Sequence, residues 1–147
     1  MTNGHLDIVE RTAKKFDHVL VAVARNSRKA GPLFTVDERV VMLEEVLRHL
    51  PNVRARALSG LLADFAVEHH VTAIVKGLRA VTDFDYELQM AQLNLRLSGV
   101  DTLFMPTAPE HSFLSATLVR EVASYGGDVS SMVPAIVAQR LKERYTP

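Results

Sequence analysis

The sequence predicts an α/β protein: a doubly wound parallel sheet with helices on both faces. Three observations carry that prediction. Short valine-rich runs alternate with amphipathic segments of helical period. The strand-like runs are nearly continuously apolar, as suits strands covered on both sides. Basic residues stand directly after two of those runs, on the edge where such sheets bind ligands.

Taken in order, Leu6, Val9, Ala13 and Phe16 recur at helical spacing and predict an amphipathic helix over 6–16. HVLVAVA (18–24) is a buried strand, followed by the polar loop RNSRKAGPLF. Thr35-Val36-Asp37-Glu38 is a capping box. Val40, Leu43, Leu47 and Leu50 supply that helix's core face, and Pro51 marks its end. VRARAL (53–58) reads as a strand interrupted by two arginines, LLADFAVEHH (61–70) as a helix, and TAIVKG (72–77) as a strand stopping at Gly77. A helix over 83–97, the strand DTLFMP, a helix over 115–125 stopped by Gly126-Gly127, and a last helix over 135–144 opened by Pro134 complete the chain.

This alternation begins with a helix, although the first strand of such a sheet is commonly central. The pattern therefore reads as one lacking its first strand and loop, a segment of about a dozen residues. No repeat, low-complexity stretch or linker interrupts residues 1–147, which are read as one domain, lacking that N-terminal strand.

Composition narrows the function classes. Seventeen basic and seventeen acidic side chains cancel, leaving no overall field to recruit nucleic acid or an anionic membrane. The absence of cysteine excludes disulfides, thiolate catalysis and cysteine-ligated zinc. No apolar run approaches the roughly 20 residues of a bilayer span, and a cytoplasmic address is the expectation.

Several residues carry candidate chemistry, each with two readings. Gly4-His5 is either a turn with a solvent-facing histidine or a phosphate site, where glycine admits the anion and helix amides attract it. In the second case histidine donates to charge developing on phosphorus oxygens. Lys29, beside Arg28 and Arg25, is either a solvated loop cation or a ligand for polyphosphate. Lys76-Gly77-Leu78-Arg79 emerges from a strand's carboxyl end, as a charged turn or as a phosphate clamp in which arginine binds two oxygens. Asp83 and Asp85 suit the positive end of a helix dipole, and Glu87 lies one turn beyond Asp83. Ser115 and Thr117 are N-cap candidates whose hydroxyls also suit terminal phosphates. The remaining histidines show no metal-ligand spacing, and no metal site is expected.

TNGHLDIVERT, the loop lysine before PLFTVDERV, VKGLRAVTDFDYELQMAQLN and HSFLSATLVREVASYGGDVS together resemble the phosphopantetheine adenylyltransferases, over almost the whole chain. Thr2, Gly4 and His5 match the (T/H)xGH signature of the nucleotidyltransferase superfamily. The resemblance implies a Rossmann-like fold, a homohexamer, and transfer of AMP from ATP to 4′-phosphopantetheine with magnesium, yielding dephospho-coenzyme A and pyrophosphate. It implies that His5 stabilises the α-phosphate in the transition state and that Arg79 contacts ATP phosphates. Glu87 would lie on the ribose or adenine side, with Gly77 among the adenine surroundings. Ser112, Ser115 and Thr117 belong to the stretch that would hold the β- and γ-phosphates. Lys29, Leu62, Lys76 and Asn94 are implied on the phosphopantetheine side.

Two departures stand out. Ala116 replaces a serine usual in the family. Members also begin with a strand leading to a PG(S/T)FDP(I/M) segment, whose last residue would fall at Met1. The expectation is an upstream natural start or a trimmed chain, with two strand edges left unpaired. Competing functions are a nucleotidyltransferase for another acceptor, a nucleotide-binding module that has lost catalysis, and a structural subunit.

Overall fold

The computed structural model of the chain describes residues 1–25 and 32–145. Thr2, in extended backbone (φ −103°, ψ 168°), is the N-cap of α1, Asn3–Ala13. This helix starts three residues earlier than the apolar spacing predicts, because its first turn is polar and leaves no mark in that periodicity. Gly4 and His5 therefore lie inside the first turn rather than ahead of it.

β1 (Val19–Ala24) pairs in parallel with β2 (Val53–Leu58), Val19 opposite Val53 and Ala24 opposite Leu58. Between them runs α2, Val36–Val46, opened by the expected capping box. The Glu38 amide donates to Thr35 Oγ1 at 3.1 Å, and the Thr35 amide donates to Glu38 Oε2 at 2.7 Å. The helix ends before Pro51, with a turn closed by the Leu50 amide on the Leu47 carbonyl. Its predicted face is its real one: Val40, Leu43, Leu47 and Leu50 all pack around Val23, Val53 and Ala55. Burying a side chain such as Val53 contributes about 1.5–3 kcal/mol relative to leaving it exposed. The two arginines do not weaken β2. Val53 and Ala55 point inward while Arg54 and Arg56 stay exposed. The Ala55 amide, a donor that an open edge would offer to another chain, is taken by Glu44 Oε1 at 2.6 Å.

α3 (Leu62–Glu68) leads to β3 (Ile74–Leu78), which pairs in parallel with β4 (Thr102–Pro106). β3 runs one residue past Gly77. The long helix α4, Val81–Ser98, connects the two strands and ends on Gly99, whose positive φ of 73° favours glycine. After β4 comes a short 3₁₀ turn, Pro109–His111, which the sequence reading lacks. α5 (Ala116–Ser124) and α6 (Ala135–Tyr145) follow. Val119, Ala123, Val137 and Leu141 of these helices close a second apolar cluster with Met42 of α2.

The parallel α/β arrangement is thus present, divided into two strand pairs, β1–β2 and β3–β4. Among the described residues each of the four strands keeps an edge with no strand partner, and β1 and β3 both line one cleft. α1 bridges the pairs. Leu6 and Val9 join the β1–β2 core, while Ile8 lies so close to β3 that a β-carbon on Gly77 would stand 2.9 Å from Ile8 Cγ1. That is inside carbon–carbon contact distance, so the approach requires glycine.

Candidate active site

The cleft between the strand pairs has a volume of about 1220 Å³. The first turn of α1 forms part of its wall and is fixed from three directions. The Asn3 amide donates to the Met132 carbonyl at 2.9 Å and its side chain donates to the Ser131 carbonyl at 3.0 Å. Gly4 lies under the 3₁₀ turn, where a β-carbon would come within 3.3 Å of His111 Cβ. Asp7 accepts from the Ala108 amide and from Arg11, which also donates to the Pro106 carbonyl at 2.8 Å. The glycine read as room for a phosphate thus also makes room for a loop.

His5 stands on this turn and lines the cleft. Its Nδ1 lies 3.2 Å from the Thr2 amide and 2.7 Å from Thr2 Oγ1. Nε2 has no partner among the described residues. The imidazole's pKa is lowered to about 4, first by the desolvating walls, then by the Met1 amino group and by Arg79. His5 as a residue is also exposed to water, which moderates the depression without reversing it. At neutral pH His5 is an uncharged hydrogen-bond donor.

The carboxyl end of β3 supplies the cations. Lys76 Nζ lies 3.2 Å from Glu87 Oε2 on α4. The contact is an ion pair without a directed hydrogen bond, since the buried Oε2 accepts none. Arg79 holds Asp83 through Nε and Nη2, each at 3.2 Å, and donates to the Leu114 carbonyl at 3.0 Å. Hydrogen bonding from Arg79 is the main reason the Asp83 carboxyl sits below its ordinary range.

Of the residues proposed from sequence, His5, Leu62, Lys76, Gly77, Arg79 and Glu87 line this one cleft. Four others do not. Ser112 donates to the Pro109 carbonyl at 2.8 Å, and Ser115 Oγ accepts from the Leu118 amide as the N-cap of α5. Thr117 is exposed on that helix, while its neighbour Ala116 lines the cleft. Asn94 is buried on α4 away from the cleft lining. Lys29 and Arg28 lie outside the described residues. Among the described residues no three His, Asp or Glu side chains gather to hold a metal ion.

Sequence reasoning gave no role to two participants. Arg39 lines the cleft and donates to the Ala24 carbonyl at the carboxyl end of β1 at 3.0 Å. Its signal was its place one turn after the Thr35 cap. Thr2 is the other, and its signal was the three-residue offset to His5, the spacing of a capping box with histidine in the glutamate's position.

Comparison with known proteins shows the family. The cytidylyltransferase-like family model matches residues 1–122. The phosphopantetheine adenylyltransferase of Thermobifida fusca is 53% identical over 145 residues, 99% of this chain and 88% of that protein. That of Frankia alni is 56% identical over 148 residues, covering 98% and 91%. The Streptomyces coelicolor protein of the same name is 54% identical over 144 residues, covering 98% and 90%. The chain has the fold of a nucleotidyltransferase of the cytidylyltransferase-like family. Within it, the chain belongs to the phosphopantetheine adenylyltransferases.

The depressed pKa of His5 makes a prediction with a defined sign. The native ring refuses a proton that the unfolded chain accepts near pH 6.5. Its contribution to stability is therefore complete above about 6.5 and declines as the pH falls toward about 4. Following the His5 ring proton by NMR should give a midpoint well below 6.5; a midpoint at 6.5 would contradict the environment described.

Proposed function

We propose that the chain transfers AMP from ATP to 4′-phosphopantetheine, giving dephospho-coenzyme A and pyrophosphate. The observation that carries this reading is the neutral His5, with Nε2 unpartnered, in the same cleft as Lys76 and Arg79. An oxygen of the acceptor's phosphate attacks the α-phosphorus of ATP in line. The bond from that phosphorus to the bridging oxygen breaks, and pyrophosphate leaves with the electron pair. No proton need move, so the protein's part is to align two anions and stabilise charge on the α-phosphate.

His5 Nε2–H donates to an α-phosphate oxygen as charge builds there. Arg79, released from Asp83, takes ATP phosphates, and Lys76 meets the acceptor's phosphate. Leu62 and Asn94 are assigned to the pantetheine side, Gly77 and Glu87 to the nucleoside, and Ser112, Ser115 and Thr117 to the outer phosphates. Lys29 is assigned to the acceptor or to ATP. Magnesium enters bound to ATP, the usual manner for an ion that keeps its waters and coordinates substrate phosphates.

Pyrophosphate release should require ATP, magnesium and 4′-phosphopantetheine together, and nicotinamide mononucleotide should not replace the acceptor. His5→Ala should lower turnover by about 10²–10³-fold with smaller effects on substrate affinity. A loss under about tenfold would remove His5 from this role, and release with the other acceptor would reassign the substrate.

We also propose that the chain assembles as a homohexamer in the cytoplasm. The sequence resemblance supports this assembly, as does an apolar stripe on α4, where Tyr86, Leu93 and Leu97 recur on one face and are about half exposed. Among the described residues no helix is long and apolar enough to cross a membrane. Light scattering should give about six times 16.3 kDa, and Leu93→Glu should reduce that mass. An unmodified chain that stays monomeric would exclude the assembly.

A further inference from the structure

We propose that Thr2 is a positioning residue that holds His5 as the tautomer protonated on Nε2, leaving an N–H bond rather than a lone pair for the substrate. A backbone amide only donates, and the Thr2 amide lies 3.2 Å from Nδ1. This longer contact favours an accepting Nδ1 without compelling it. The Thr2 hydroxyl, 2.7 Å from the same nitrogen, rotates to donate as well, and this shorter contact is the stronger of the two. A proton on Nδ1 would confront the amide hydrogen directly. Both the other tautomer and the imidazolium are thereby disfavoured.

The Thr2 end of the arrangement is buried and tied down. Thr2 is 2% exposed, so water does not compete for its hydroxyl. Its successor Asn3 is tied to Ser131 and Met132, and Gly4 is packed under His111. The side-chain charge acting on His5 is the Arg79 guanidinium, which opposes an imidazolium. With Nδ1 occupied and Nε2 protonated, His5 has no free lone pair. It can neither remove a proton nor attack phosphorus through nitrogen. It can only donate, which is what a growing negative charge on a phosphate oxygen requires.

The kinetic half of this inference rests on the reading of the cleft as a site of AMP transfer; the tautomer does not. Long-range ¹H–¹⁵N NMR of the imidazole distinguishes the two nitrogens and is paired with single-turnover AMP transfer. The unmodified chain should carry its proton on Nε2. Thr2→Ser keeps the hydroxyl and should retain both the tautomer and a rate within about twofold. Thr2→Val keeps the shape and the backbone amide but loses the shorter bond. It should populate the Nδ1-protonated ring and slow the chemical step by about tenfold, with KM for ATP unchanged.

A proton on Nδ1 in the unmodified chain would overturn the proposal, as would Thr2→Val matching it in tautomer and rate. If Thr2→Val fails to fold, the nitrogen signals of the unmodified chain and of Thr2→Ser decide the matter. A folded chain that transfers no AMP defeats the functional reading, while those same signals still decide the tautomer.

Discussion

Residue 77 has no side chain, and Ile8 fills the place where one would stand. The site depends on that contact. The two strand pairs share no ladder among the described residues, and α1 packs against both. Isoleucine is stiff in a helix, so its fit against Gly77 sets how low α1 sits on β3. His5, on the first turn of α1, is thereby registered against Lys76, which adjoins the glycine. The ties from Asn3 to Ser131 and from Asp7 to Ala108 fix the same turn from its other sides. The histidine's position is a consequence of helix packing, and its chemistry follows from that position.

Electrostatics explain why the site suits two anions. Lys76 and Arg79 are paired with Glu87 and Asp83. The Arg79–Asp83 pair is partly exposed, and such pairs contribute only about 0–1 kcal/mol. There a phosphate displaces a carboxylate at little cost, whereas Glu87 Oε2 is buried and holds Lys76 more firmly. His5 adds no positive charge to the cleft. Its contribution grows with charge on the reacting phosphate, so it favours the transition state over bound substrate.

Much of this was legible in the chain because it depends on local chemistry. The Thr35–Glu38 box and the Ser115 cap act within one helical turn, and both form as their spacing requires. The apolar runs become parallel strands, and the lysine and arginine after β3 reach the cleft. Long-range relations were not legible. Nothing local shows that Lys76 faces Glu87, eleven residues on and in another element, or that Arg39 reaches back to β1. The first turn of α1 falls outside the helix that apolar spacing predicts, because its polar residues carry no apolar periodicity. Gly77 was read for its nearness to a ligand, and the geometry adds a packing requirement that only the folded chain displays.

The central claim is a single direct displacement at the α-phosphorus, assisted by a histidine that donates and does not attack. The chain has no cysteine, and His5 Nδ1 is already engaged. The most direct test uses ATP carrying sulfur at the α-phosphorus in one known configuration and follows that centre into the dephospho-coenzyme A analogue. One in-line step inverts the phosphorus, and inversion is the result this account requires. Retention would mean two displacements through an adenylylated enzyme, and it would contradict the account.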